Sequence, residues 1–247
     1  MKAIYTALAV VVLLGGAFLI FSSQKSSRTT STSQGETGQM QYPFENPKKS
    51  AHYESNTPAH GAILAGVPIN VVIDFNFDLA KPSEIKVLKD GKDYGLDETI
   101  IDDNKLAMRR KIDPTAPDGL YKVEYKACWP NGSCHNGNFQ FVIDKTLGAG
   151  FVDQTSKPEV EIKMSQIVFS PKNIKISKGT KVTWLNDDGV SHFVNTDSHP
   201  GHTYYKAQNS PSLVKGASYT VTFETPGIYP YHCSAHADTM TGNILVE

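Results

Sequence analysis

The sequence has little net charge, few cysteines and no long helical periodicity beyond its first two dozen residues. The formal net charge of the 247 residues is −1, so the basic excess typical of polyanion-binding proteins is missing and we expect no nucleic-acid partner. Glycine and proline are frequent, with 19 and 14 residues, and 39% of the chain is hydrophobic, enough to bury a core. These features favour an all-β protein with one large or two small domains.

A long apolar run occurs near the N-terminus, from Ala3 to Phe21. Its length is close to the roughly 20 residues that cross a bilayer as a helix. No convincing A-x-A cleavage site precedes Gln24, which favours an uncleaved anchor over a cleaved signal peptide, and the absence of a following cysteine excludes a lipoprotein anchor. We therefore expect residues 1–23 to be a signal anchor or signal peptide. The rest would be exported, to the periplasm or cell surface, and held at the membrane.

Two stretches have the composition of connecting segments. Residues 24–49 are rich in Ser, Thr, Gln and Gly and predict a disordered tether, the alternative being a segment ordered on a domain surface. Residues 146–157 contain Gly148-Ala149-Gly150 among polar neighbours and predict an interdomain linker. The chain would then fold as two domains, 50–145 and 158–247.

Residues 50–145 have the alternating pattern of β-strands. One predicted strand lies between Val67 and Asp78, where apolar residues occupy every second position. Further strands are predicted over Gly119 to Ala127 and Asn138 to Ile143. The apolar face of the first strand comprises Val71, Ile73, Phe75 and Phe77, opposite Val72, Asp74 and Asn76.

Two of the three cysteines flank a tight turn. In Pro130-Asn131-Gly132, Pro suits the first turn position, Asn the second and Gly the left-handed third. This register sets Cys128 opposite Cys134, close enough for a disulfide. The alternative is a metal site that uses both cysteines with His135. Cys233 is then left as a single thiol.

Three motifs in residues 50–145 resemble the CopC copper-resistance family. They are Ala51-His52 followed by Ser55-Asn56-Thr57-Pro58-Ala59-His60-Gly61-Ala62, Gly119-x-Tyr121-x-Val123, and Gly137-x-Phe139-x-Phe141. The resemblance implies an immunoglobulin-like β-sandwich. Asn131 and Ser133 stand where the family has a copper-binding Asp and His, so we expect its usual copper(II) site to be absent. His52, His60 and His135 could form a rebuilt site, but we expect them to be exposed histidines.

The C-terminal region, residues 158–247, also has the pattern of short strands. About seven of them, with inward apolar residues, would form a compact sandwich. The stretch Tyr231 to Met240 contains Cys233, His236 and Met240, whose thiolate, imidazole and thioether groups are soft or borderline ligands suited to copper. His192 follows a strand that ends at Asn186. Because loops at one end of a sandwich converge, we expect His192 to reach the Cys233 loop.

This arrangement resembles the cupredoxin, or blue-copper, family of plastocyanin and azurin type. The resemblance implies a Greek-key sandwich with one type 1 copper bound by His192, Cys233, His236 and Met240. A rigid four-ligand site without an open position suits one-electron transfer rather than catalysis, and a redox protein partner would dock near His236. The family often has Asn after the first ligand His, whereas this chain has Phe193. That change affects the hydrogen-bond network expected around the Cys233 thiolate.

Three other histidines of the second domain allow alternatives. We expect His199 and His202 to be exposed, with a weak second copper site as the alternative. His232 precedes Cys233, and strand alternation turns its side chain away from the copper. This adjacency resembles copper nitrite reductases, but the sequence shows no clear set of further histidines to complete such a site. The absence of His-x-His pairs excludes a multicopper oxidase.

The sequence therefore predicts an exported, membrane-tethered type 1 copper protein that transfers single electrons. One alternative is a copper-binding module that sequesters or delivers copper, as the CopC resemblance suggests. The other is a small copper oxidoreductase of nitrite-reductase type that uses His232.

Overall fold

The computed structural model describes residues 42–247. The predicted anchor lies outside the described residues, as does the predicted tether up to residue 41. Within residues 42–247 the regular structure consists of strands and three short 3-10 helices, Lys145–Gly150, Lys206–Gln208 and Ser234–His236. No helix in this part of the chain is long and apolar enough to span a membrane. The predicted all-β fold is confirmed for the described residues.

The first half forms a sandwich of two mainly antiparallel sheets. The strands are β1 Tyr53–Thr57, β2 Ile63–Leu64, β3 Asn70–Phe75, β4 Ala80–Lys89, β5 Lys92–Asp93, β6 Gly95–Ile101, β7 Ala107–Ile112, β8 Gly119–Cys128 and β9 Cys134–Ile143. One sheet has the strand order β1-β3-β7-β6 and the other β2-β9-β8-β4-β5. Buried aliphatic and aromatic side chains fill the space between the sheets, so this half has its own core.

The second half forms another sandwich, of mixed parallel and antiparallel strands. Its strands are β10 Val152–Asp153, β11 Glu159–Ser165, β12 Val168–Ser170, β13 Asn173–Ile176, β14 Lys181–Asn186, β15 Asn195–Thr196, β16 Ser218–Thr222, β17 Gly227–His232 and β18 Thr241–Val246. The two sheets have the strand orders β10-β13-β18-β17-β15 and β12-β11-β14-β16. Trp184 and Tyr231 pack edge to face in its core, with ring centroids 5.4 Å apart.

Strand β3 is buried on both faces. The alternation expected from the sequence places Val71 in the core of the first sandwich. Val72, on the opposite face, is also fully buried and belongs to the apolar cluster of the second sandwich. Asp74 lies on that same face and is buried as well. The face of β3 that is polar in part therefore contacts the other sandwich instead of water.

The Cys128–Cys134 hairpin agrees with its prediction. The two cysteines are directly paired between β8 and β9 and form a disulfide, with Cα atoms 4.1 Å apart. The intervening Gly132 has a φ of 85°, the left-handed conformation that glycine adopts without steric cost.

The two predicted connecting segments contact the sandwiches. Within the described part of the predicted tether, residues 42–49, Lys48 forms a β-bridge with Asn138 of β9, and the Glu45 amide donates to the Gln140 side chain. In the predicted linker, the 3-10 helix from Lys145 leads into β10, which pairs with β13. Both segments are thus part of the folded surface where they are described.

Candidate metal centre

Cys233 lies at the end of β17, where the chain leaves the sandwich. β17 pairs with β18 along its whole length, and Tyr231 lies opposite Gly242. A Cβ atom at Gly242 would come within 2.5 Å of the Tyr231 ring, so a glycine is required for the two strands to pair here. This packing fixes the position at which the cysteine emerges.

The Cys233 thiol is fully buried between two imidazoles. Its Sγ lies 3.6 Å from Nδ1 of His192 and 3.6 Å from Nδ1 of His236. The backbone N–H of Phe193 points at the same sulfur, at 3.3 Å. The sulfur therefore has a backbone hydrogen-bond donor even though Phe193 replaces the Asn common in the family.

His192 is fully buried and is oriented by a carboxylate. Its Nε2 donates to Oδ2 of Asp188 at 2.8 Å, which leaves the Nδ1 lone pair directed at the site. Asp188 also accepts from the backbone N–H groups of Gln166 and Ile167, at 2.7 and 2.9 Å. The Ile167 hydrogen bond is the foremost reason that the pKa of Asp188 lies below its ordinary value.

Met240 and His236 are held by the backbone of the same loop. The Met240 carbonyl accepts from the Cys233 N–H at 2.9 Å, and the Met240 N–H donates to the His236 carbonyl, also at 2.9 Å. The Met240 side chain is buried, whereas His236 is half-buried. The loop thus places a thioether inside the protein and one imidazole at its edge.

The donor set and its spacing fit a single copper ion. With bond lengths of about 2.3 Å to sulfur and about 2.0–2.1 Å to nitrogen, as for zinc, a tetrahedral ion implies a sulfur-to-nitrogen separation of about 3.6 Å. Both Sγ-to-Nδ1 separations at Cys233 are 3.6 Å. One thiolate, two imidazoles and a weak thioether are the ligands of copper electron-transfer sites. His192, Cys233 and His236, predicted as ligands, are brought together, with Met240 on the same loop.

The histidines of the first sandwich are not gathered into a site. His52 is exposed, lies 3.2 Å from the Asn76 side chain and stacks on Phe77. His60 Nδ1 accepts from the Gln140 N–H at 3.2 Å. Among residues 42–247, the clusters of three or more ligand-type side chains include neither of them, nor His135.

The expectation that His199 and His202 are exposed is confirmed for His199 and wrong for His202. His202 is half-buried, and together with His199 it lies beside His232, the set of partners that the sequence did not reveal. His232 is buried and belongs to this cluster rather than to that of Cys233. Burial, followed by the charges of His232 and His199, lowers the pKa of His202 to about 4.

Two carboxylates that orient the histidines were missed by the sequence analysis. Asp188 contacts His192, and Asp197 Oδ1 lies 3.0 Å from Nδ1 of His232. Asp188 precedes His192 by four residues in a short loop, which is a weak signal for a contact. Asp197 and His232 are paired only because β15 lies beside β17.

Comparisons with known proteins identify both halves. Residues 156–247 match the family of copper-binding proteins described as the plastocyanin/azurin family, and residues 53–144 match the CopC domain. Amicyanin-alpha of Methylorubrum extorquens is 32% identical over 110 residues, which cover 43% of this chain and 90% of that protein. Chloroplastic plastocyanin of Tetradesmus obliquus is 31% identical over 108 residues, covering 40% of this chain and 74% of that protein.

A solved structure, described as a novel purple cupredoxin from Nitrosopumilus maritimus, is 32% identical; the match covers 36% of this chain and 99% of that one, with a TM-score of 0.32. The sequence relationships establish that the chain belongs to the plastocyanin/azurin family of copper-binding proteins, through a cupredoxin domain that follows a CopC-like domain. It is a copper-binding protein of electron-transfer type, and its cofactor is a type 1 copper.

Proposed function

We propose that this protein is an exported, membrane-tethered one-electron carrier whose single type 1 copper is held by His192, Cys233, His236 and Met240. The observation that carries the proposal is the buried thiol of Cys233, which lies 3.6 Å from Nδ1 of each of two histidines. A fully buried cysteine could also be a small hydrophobic residue of the core. The convergence of two imidazole nitrogens and a backbone N–H on its sulfur favours a metal ligand instead.

Copper would supply the change between two oxidation states, and the protein would keep its ligands in place during that change. His192 is fixed by Asp188, and the Cys233 backbone is tied to Met240 on the far side of the loop. Full burial of Cys233 and His192 excludes water from the centre. Because the ligands have little freedom to move, each electron transfer requires little reorganisation.

We place the docking site for a redox protein partner at His236. This histidine is half-buried, whereas His192 is fully buried, so the His236 ring offers the shorter path to the surface. Two exposed aliphatic residues support the assignment. Ile167 and Val190 are 41% and 51% exposed, and they lie beside Asp188 and Asn186, at the end of the sandwich that holds His192. Exposed aliphatic side chains at that end of the sandwich would suit contact with a protein partner.

The domain limits and the location of the protein are part of the proposal. We assign residues 50–145 to the CopC-like domain, 146–157 to a linker and 158–247 to the cupredoxin domain, preceded by an anchor at 1–23 and a tether at 24–49. The Cys128–Cys134 disulfide supports an oxidising, extracytoplasmic location, and the apolar run from Ala3 to Phe21 supports membrane attachment.

A coulometric titration of the protein loaded with one equivalent of copper tests the carrier function. We expect one electron per chain to be taken up and released reversibly, with the visible absorption restored in full at each oxidation. The matched comparison is His236→Ala, which removes the histidine through which electrons are proposed to leave the copper. Loss of the absorption after one cycle in the native protein, or irreversible uptake of more than one electron per chain, would rule out a simple carrier.

A further inference from the structure

His199, His202 and His232 form a second cluster of ligand-type nitrogens, separate from that of Cys233. Nδ1 of His199 lies 3.3 Å from Nε2 of His202, which in turn lies 3.1 Å from Nε2 of His232. A tetrahedral ion with metal–nitrogen bonds of about 2.0–2.1 Å would hold its nitrogen ligands about 3.3–3.4 Å apart. Two of the three separations are therefore close to those of a three-histidine metal site, and the ligand nitrogens all lie within 4.8 Å of one another.

A single hydrogen can pair only two of these nitrogens at a time. A neutral imidazole carries one N–H, and Asp197, 3.0 Å from Nδ1 of His232, holds that hydrogen on Nδ1. Nε2 of His232 therefore presents a lone pair to His202. Around Nε2 of His202 there are three neighbours, the His199 and His232 nitrogens and the Ser234 hydroxyl at 3.1 Å. A single hydrogen on that atom can serve only one of them, whereas a cation would serve all the nitrogens.

The loop that carries His199 and His202 is fastened to the first sandwich. Asp74 of β3 accepts hydrogen bonds from the hydroxyls of Ser198 and Thr203, at 2.8 and 2.7 Å. These two residues flank the histidine pair, so both ends of the segment are fixed. His202 itself has a φ of 49°, a strained value for a residue other than glycine that is kept only where the surrounding contacts impose it.

We propose that His199, His202 and His232 form a second metal site, for a divalent transition-metal ion bound by three imidazoles. Imidazole ligands suit copper, nickel and zinc, and among divalent ions the affinity order places Cu(II) first. Asp197 is the positioning residue that fixes the tautomer of His232. Since His199 is exposed, a fourth coordination position is open to water or to a small ligand.

The test counts the copper ions bound to the full chain by equilibrium dialysis against Cu(II). We expect two ions per chain in the native protein and one in His199→Gln, which changes an exposed side chain and leaves Cys233 intact. His135→Gln, an exposed histidine of the first sandwich, is the matched control and should still bind two. The spin-resonance spectrum should lose a second, non-blue signal in His199→Gln and keep it in His135→Gln, with the visible thiolate band unchanged in both.

Equal copper counts in the native protein and in His199→Gln would overturn the proposal, whatever the state of the Cys233 centre. The difference of one ion is also independent of the proposed electron-carrier function, because it is measured between two proteins that share that centre. His202→Gln provides a second variant, with retention of the visible band as its test of folding. A second copper that persists in both variants would place the ion elsewhere.

Discussion

Nε2 of His192 and Oδ2 of Asp188 are 2.8 Å apart, and this contact determines which nitrogen of a buried histidine faces Cys233. The carboxylate can only accept, so the hydrogen of His192 lies on Nε2 and Nδ1 is free to bind an ion. Asp188 is itself held by two backbone N–H groups from the turn between β11 and β12. The proposed metal centre thus depends on a carboxylate that, of the four proposed ligands, contacts only His192.

We predict that Asp188→Asn lowers copper affinity by about 10- to 100-fold, the usual effect of removing a partner of a metal-binding histidine. The amide has one acceptor oxygen in place of two, and it cannot satisfy all three N–H donors. Competition against a copper chelator would measure the loss. Asp187→Asn makes the same change in charge at an exposed neighbour, and it should bind copper as the native protein does. Equal affinities in the two variants would disprove the role of Asp188.

Met240→Gln should lower the reduction potential, because an amide oxygen is a harder ligand than a thioether and favours Cu(II). A spectroscopic redox titration measures this change. Met164→Leu alters another buried methionine of the same apolar cluster and should leave the potential close to the native value. An unchanged or raised potential in Met240→Gln would show that the thioether does not act on the copper.

Removal of the Cys128–Cys134 disulfide should lower the free energy of unfolding without affecting the metal centre. The bonded residues are six apart in sequence, and closing so short a loop stabilises a protein by about 2 kcal/mol. Urea denaturation of the double variant Cys128→Ala/Cys134→Ala would measure the loss. The visible band should be retained, since the disulfide lies in the first sandwich. A variant that loses the band would link this hairpin to the copper site.

Asp102 should make the contact between the sandwiches sensitive to acid. It accepts two hydrogen bonds from Arg109 and lies 2.9 Å from Nζ of Lys206, which belongs to the second sandwich. Burial raises the pKa of Asp102, but the hydrogen bonds from Arg109 and Lys206 outweigh it, so the pKa lies below the ordinary 3.8. The stabilisation is therefore complete above that ordinary value and is lost as the pH falls through the lowered pKa.

Urea denaturation as a function of pH would test this contact. Asp102→Asn should lower the free energy of unfolding by about 1–3 kcal/mol at neutral pH. The difference in this free energy between the variant and the native protein should shrink below about pH 4. Asp103→Asn, at an exposed neighbouring carboxylate, should show neither effect. If the free energy of unfolding of Asp102→Asn stays as far below the native value in acid as at neutral pH, the ionised Asp102 carboxylate is not the acid-sensitive group.

The sequence was sufficient to predict that His192, Cys233 and His236 come together, and to predict the longer strands. Thiolate, imidazole and thioether groups within one short loop limit the chemistry to soft metals, and period-two patterns marked strands such as β8 and β14. Strands of two or three residues, such as β10, β12 and β15, are too short to show a period. The pattern of β3 marks one apolar face, but a sequence does not indicate that a second domain covers Val72 and Asp74 on the other face.

The histidine cluster at His232 could not be predicted for a related reason. His199 and His202 reach His232 because their loop is fixed to Asp74 in another domain, and no local pattern encodes such a contact. The same limit applies to Asp197, whose carboxylate meets His232 only through the pairing of β15 with β17. Contacts formed between distant segments are determined by the packed structure, and residue type alone marks only which side chains could take part.

The central claim is that Cys233 binds copper as a thiolate. The most direct test is the visible absorption spectrum of the copper-loaded protein compared with that of Cys233→Ser. We predict a strong thiolate-to-copper band in the native protein at one equivalent of copper, and no such band in the variant. The absence of the band from the native protein, or its survival in Cys233→Ser, would contradict the account.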